Sequence, residues 1–444
     1  MLSRYYRRLF WKDRSGVFAV AMVIGLLLFA ERSPAQWPQW GGPRVDFHAD
    51  AQGLASHWPA DGPRKVWSYD IGPGQSSVVV ENGVVYTMYR IEDPGYEALL
   101  AVDAATGEYV FELQYAIPIW DNYDRSRGIG PRATPLILGP YTYSVGFTGV
   151  MYCFDPQERR FLWRHDLLIN SGGTFLKFGF PSSPIVYKDL IIVQVGGKTA
   201  GFIAFKRTDQ DMIWKAIMAE EPSGAVPPTI AWKSTPFENT YATPIVIGVD
   251  SDDQLVGIGA DQVVAVSPSS GKPAWTFPHK SQSSGDILTP VWHKDKNLLF
   301  LPSDGTGKAR MLRLTREKLG TTVEEAWASD DVKLGPGTVL RVGDYLYGSG
   351  IREGKPVISA VNATTGEVAW EHRGFSMATM VYGDDKLIIR DSDGVLALAT
   401  VTPQKLTVHS QVKALGQAAC SMPALVGNIL FVRDDQKLLA LDLN

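Results

Sequence analysis

The chain has 444 residues, 45% hydrophobic and 11% aromatic, which is enough for a sizeable core and too much for a disordered chain. A formal charge of −4, from 43 basic and 47 acidic residues, gives no basic footprint for nucleic acid. Two cysteines, Cys153 and Cys420, exclude a disulfide framework and a cysteine-rich zinc module, and leave one bridge between them open.

The first 35 residues read as a leader. Arg4, Arg7, Arg8, Lys12 and Arg14 precede an uncharged apolar run of 15 residues from Gly16 to Ala30, and Ser33-Pro34-Ala35 offers small residues at −3 and −1 of a signal-peptidase site. The run falls short of the ~20 residues that span a bilayer. Cleavage after Ala35 is therefore expected, with an uncleaved anchor as the alternative. Six basic and two acidic residues leave with the leader, so the charge falls from −4 to −8. A periplasmic or secreted location follows from this reading. The remaining chain divides into an N-terminal extension, 36–64, and a repetitive body, 65–444.

The body opens on an orphan strand, Lys65-Val66-Trp67-Ser68-Tyr69. A hairpin signal follows, Ser77–Thr87 around Asn82-Gly83, with counterparts at Ser183–Val193 and Pro423–Val432. After such pairs comes a recurrent phrase. Ala101-Val102-Asp103-Ala104-Ala105-Thr106-Gly107 leading to Phe111 recurs as Ala265–Gly271 leading to Trp275 and as Ala360–Gly366 leading to Trp370. Degenerate copies run from Cys153 to Trp163 and from Ala204 to Trp214. Asp, Asn or Ser bonds the turn backbone, glycine supplies a positive φ, and the next strand carries a large aromatic inward. Each unit is thus four antiparallel strands. The aromatic markers are Trp67, Phe111, Trp163, Trp214, Trp275, Trp327, Trp370 and a weaker one near Val408. Eight markers over about 410 residues give a spacing near the 40–50 of propeller blades. The C-terminus supplies three strands and the N-terminus one, which together complete an eighth blade. Two stacked β-sandwiches would have no use for that orphan. The expected fold is an all-β, eight-bladed β-propeller closed by its N-terminal strand.

The Ala-x-Asp-x-x-Thr-Gly-x-x-x-Trp phrase resembles the docking repeat of the PQQ-like, quinoprotein-type β-propeller family, and Trp37-Pro38-Gln39-Trp40-Gly41-Gly42-Pro43 resembles a secreted bacterial branch of it. The resemblance covers residues 37–444. It implies either a non-catalytic envelope scaffold of the BamB type or a PQQ-dependent enzyme acting on an alcohol or sugar. The enzymes carry adjacent cysteines and a calcium site, whereas Cys153 and Cys420 lie far apart in sequence. Asp250/Asp252/Asp253 and Asp391/Asp393 sit in turn contexts and read as backbone caps. None of the seven histidines stands at metal-ligand spacing, and no Gly-x-Ser-x-Gly elbow occurs. No catalytic, metal or cofactor residue is therefore assigned, and PQQ stays with the enzyme alternative.

Long connections at 112–132, 166–181 and 215–241 are expected to join the last strand of one blade to the first of the next, on one face around the channel mouth. They carry aromatics and arginines, the usual anchors of binding surfaces. The expected binding residues are Trp120, Tyr123, Arg125, Arg132, Phe178, Trp232 and Tyr241. The expected partner is an envelope or secreted protein, a peptide or a glycan, bound by a monomer, with membrane contact only through an uncleaved leader.

Overall fold

A computed structural model describes residues 36–444 apart from 92–94, 118–123, 127, 210–211, 213–226, 281–288, 304–306, 336 and 417–420. The leader lies outside the described residues, as do Trp120, Tyr123, Trp214 and Cys420.

The strands form eight antiparallel sheets of four, each a blade. Blades 1 to 7 span 79–116, 136–166, 185–233, 245–278, 291–329, 339–372 and 378–413. Blade 8 joins three C-terminal strands, 424–442, to Arg64–Asp70. First strands touch one another from blade 5 through 6, 7, 8, 1 and 2 to blade 3, so they ring the centre. The expected propeller and its N-terminal closing strand are both present. Arg64–Asp70 pairs with Lys437–Asp442, and the Arg64 guanidinium meets Asp442 at 2.6 Å.

The repeat phrase works through local chemistry. The Asp103 carboxylate accepts from the Ala105 and Thr106 amides at 2.9 and 2.8 Å, and Asn362 does the same for Thr364 and Thr365. Gly107, Gly271 and Gly366 have φ near +70°. A side chain at Gly107 would meet the Trp67 indole at 2.7 Å, and Gly271 and Gly366 abut Trp232 and Trp327 in the same way. The aromatic of one blade thus lies on the turn of the next. The Trp67, Trp232 and Trp327 indole N–H groups donate to the carbonyls of Ala104, Pro268 and Ala363 at 3.0, 3.1 and 2.9 Å. In seven blades the strand bulges just before this aromatic, which adds twist there. Blade 7 bulges at His409, so Ser410 follows the bulge, and Val408 lies before it, packed with residues of blades 6 and 7.

Blade 3 corrects the sequence reading. Its outer strand is Ile230–Lys233, and Trp232, rather than Trp214, pairs with Ala204. Residues 207–229 therefore connect the third and fourth strands of one blade, and only 234–244 joins blade 3 to blade 4.

Around the centre, small hydroxyl residues tie neighbouring blades. The Met422 amide donates to Ser77 at 2.9 Å, Ser77 to Thr134 at 3.2 Å, Thr134 to Ser183 at 2.9 Å, and Ser183 to Thr243 at 3.3 Å. This belt runs from blade 8 to blade 4. The N-terminal extension bonds the first strands at their far ends. Trp37 exchanges both backbone bonds with Val80, Pro38 accepts from Ile137, and Phe47 and Ala49 bracket Tyr382. Trp37, Trp40, Phe47, Leu54 and Trp58 are buried in one core with blades 7, 8 and 1.

Candidate functional site

The connection between blades 1 and 2 is fixed to the connection between blades 2 and 3. The Asp124 amide donates to the Lys177 carbonyl at 2.9 Å, and the Lys177 ammonium meets the Asp124 carboxylate at 2.7 Å. That ammonium holds the Asp124 carboxyl well below the usual carboxylate range. Half-buried Arg132 donates to the Phe178 carbonyl, to Gln75 Oε1 and, at 3.2 Å, to the Gly128 carbonyl. Its guanidinium also lies 5.8 Å from the Phe178 ring centroid. The Phe178 amide donates to the Tyr241 hydroxyl at 2.7 Å, and the two rings are 5.8 Å apart. Arg132, Phe178 and Tyr241 thus come together and join three successive inter-blade connections.

Other expected residues divide. Arg125 is exposed beside this cluster. Trp232 lies on the outer strand of blade 3, where it docks blade 3 onto blade 4, so the structure separates it from the rim. Trp120 and Tyr123 fall outside the described residues. Two features went unforeseen. One is Glu97, fully buried beneath the rim, whose carboxylate accepts from the Phe147 amide at 3.0 Å and the Tyr115 hydroxyl at 3.2 Å. Burial pushes its carboxyl up to about 7. Only its place in an otherwise apolar strand, Ala98-Leu99-Leu100, hints at this in sequence. The other is a cavity lined by the extension and three blades, which no local motif announces.

The residues present do not fit PQQ with its calcium. Calcium takes six to eight oxygens, and among the described residues no three His, Cys, Asp or Glu side chains gather as ligands. Asp391 spends its carboxylate on the amides of Ser376, Asp393 and Val395 at 3.1, 3.1 and 2.8 Å, and Asp250 occupies a turn at φ +55°. Cys153 is a free, buried thiol, 3.3 Å from the Thr208 hydroxyl, and burial pushes it up to about 12.

No family model matches the sequence, and no curated protein matches it. Solved structures do. BamB from Moraxella catarrhalis is 15% identical with a TM-score of 0.55, over 86% of this chain and 99% of that one. Quinohemoprotein alcohol dehydrogenase from Comamonas testosteroni is 12% identical with a TM-score of 0.57, over 92% and 80%. Sqt1 from Saccharomyces cerevisiae is 9% identical with a TM-score of 0.57, over 86% and 99%. At these identities the likeness is one of fold, an eight-bladed propeller.

Proposed function

We propose that the protein is a non-catalytic propeller scaffold, exported by its leader, that binds an envelope or secreted protein, peptide or glycan on the face of the inter-blade connections. One observation carries the reading. The Arg132–Phe178–Tyr241 cluster fuses three neighbouring connections into a single surface, so exposed side chains such as Arg125 and Lys177 stand on a rigid base. Arg132 itself is a brace, because its guanidinium is committed to backbone and amide oxygens of the protein. A scaffold is consistent with the BamB likeness, and the Asp391 carboxylate, a candidate calcium ligand for the enzyme alternative, is committed to three backbone amides.

The test compares purified wild type with Arg125→Glu, Lys177→Glu and, on another surface, Leu319→Glu. Capture of one envelope partner should be lost in both rim variants and kept in Leu319→Glu, with the melting temperature unchanged in Arg125→Glu and lowered in Lys177→Glu, which also loses the Asp124 ion pair. Dye reduction by protein supplied with PQQ, Ca²⁺ and an alcohol or sugar would overturn the reading. Export is checked by intact mass, with Gln36 expected as the first residue.

A further inference from the structure

A cavity of about 380 Å³ lies between residues 40–48 of the extension and the first strands of blades 4, 5 and 6. This falls within the usual range for small-molecule sites. Trp40 and Phe47 of the extension, Ile245, Val291, Trp292 and Val339 supply apolar walls. Three cations, Arg44, Lys294 and Arg341, share the lining with one carboxylate, Asp46. Two of the cations are committed. Arg44 meets Asp46 at 3.5 Å and Asp50 at 3.1 Å, and Arg341 faces Asp295 at 3.8 Å and donates to the Gly343 carbonyl at 2.6 Å. Lys294 is exposed and has no carboxylate within ion-pair distance among the described residues.

The hydroxyl belt is interrupted at this place. Thr289 is the blade 5 counterpart of Thr243, as Thr289-Pro290 matches Thr243-Pro244, and it lines the cavity. Its hydroxyl is buried without a hydrogen-bond partner among the described residues. A buried, unpaired hydroxyl is costly, and this one borders the cavity, where a ligand atom can meet it.

We propose that this cavity binds a small carboxylate-bearing ligand with an apolar body. The indoles and aliphatic side chains cover the body, Lys294 meets the carboxylate, and the Thr289 hydroxyl supplies a further hydrogen bond. Lys294 directly follows the first strand Val291–His293, whereas the inter-blade connections enter at the opposite ends of first strands. Thr289 lies at that connection end, so the cavity runs along the strand, but its lining includes none of the rim residues Arg125, Arg132, Lys177, Phe178 and Tyr241.

Calorimetry on the full chain tests it with 3-phenylpropanoate and N-acetyl-leucine, each beside its uncharged amide. At least one acid should bind about tenfold more tightly than its amide, the size of one charge-assisted bond. Raising the salt should weaken the acid alone. Lys294→Gln should erase the preference with unchanged melting temperature, and Arg125→Glu on the rim should leave it intact. Binding of none of the acids, equal binding of acid and amide, or a preference that survives Lys294→Gln would each overturn the proposal. None of these outcomes bears on partner capture at the rim.

Discussion

Glu97 sits in the third strand of blade 1, with Phe147 of blade 2 closing over its carboxylate. Burial there disfavours the charged form more than its two hydrogen bonds favour it, so the folded state holds the proton up to about pH 7, against 4.5 for an ordinary glutamate. A raised carboxyl makes the folded state the stronger proton binder. Its contribution to stability is complete below the unfolded value and is lost as pH rises through the folded one. The parent protein should therefore lose on the order of 3 kcal/mol between about pH 4.5 and pH 7 from this group. Glu97→Gln keeps an oxygen for the Phe147 amide and cannot ionise. Thermal melts from pH 4 to 8 should show that slope flattened in the variant, and an unchanged slope would sink the assignment. Glycine offers a second comparison. Gly83 and Gly107 share φ near +75°, but a Cβ at Gly83 meets nothing within 4 Å, while one at Gly107 strikes the Trp67 indole. Gly83→Ala should cost roughly 1 kcal/mol of backbone strain. Gly107→Ala should cost a further 1–3 kcal/mol or so for displacing the ring. Denaturant titration of the two variants separates strain from docking.

At the scale of the strand and turn, the same docking slot does unequal work in different blades. Trp163 is wholly buried, 5.7 Å from Phe205 and 5.9 Å from Tyr143, with its indole bonded to Thr208 at 3.1 Å. Trp370 is only half-buried, although its indole reaches the Thr402 carbonyl at 2.9 Å. Trp163→Ala should cost about 3–5 kcal/mol through the cavity it leaves, and Trp370→Ala about 1–2 kcal/mol. Equal losses in urea would mean that burial does not set the value of the slot. The slots were legible because an Asx turn, a glycine and an aromatic at a fixed offset are chemistry within a dozen residues. Blade 3 escaped for the same reason. Trp214 stands as far from Ala204 as Phe111 does from Ala101, but an insertion separates the third strand from the real fourth one. The rim was legible as composition and illegible as arrangement. Arg132 finds its partners 46 and 57 positions away, a pairing no spacing encodes, and its bonds make it a brace.

Across the whole molecule, closure rests on one short strand from the far end of the chain. Arg64–Asp70 covers the outer edge of Lys437–Asp442, and Trp67 reaches onward to the blade 1 turn at Ala104. Arg433 ties the same junction from within. Its buried guanidinium donates to Thr87 of blade 1 at 2.9 Å and to the carbonyl of Gly72, just after the closing strand, at 3.0 Å. A chain beginning at residue 72 would leave Lys437–Asp442 as an open edge, a template for pairing with another copy. That fragment should self-associate with rising concentration and melt well below the parent. Adding the peptide 36–71 in trans should return it to a monomer and raise its melting temperature in proportion to RT ln(1 + [L]/Kd). The same peptide carrying Trp67→Ala retains the extension and the strand backbone but has no ring to lie on Gly107, so it should rescue less at equal concentration. That arm separates the closing strand from the extension, whose own burial the peptide also restores. Sedimentation and melting of the three samples decide it. A fragment that stays monomeric and melts like the parent without any peptide would show that the ring closes by other contacts.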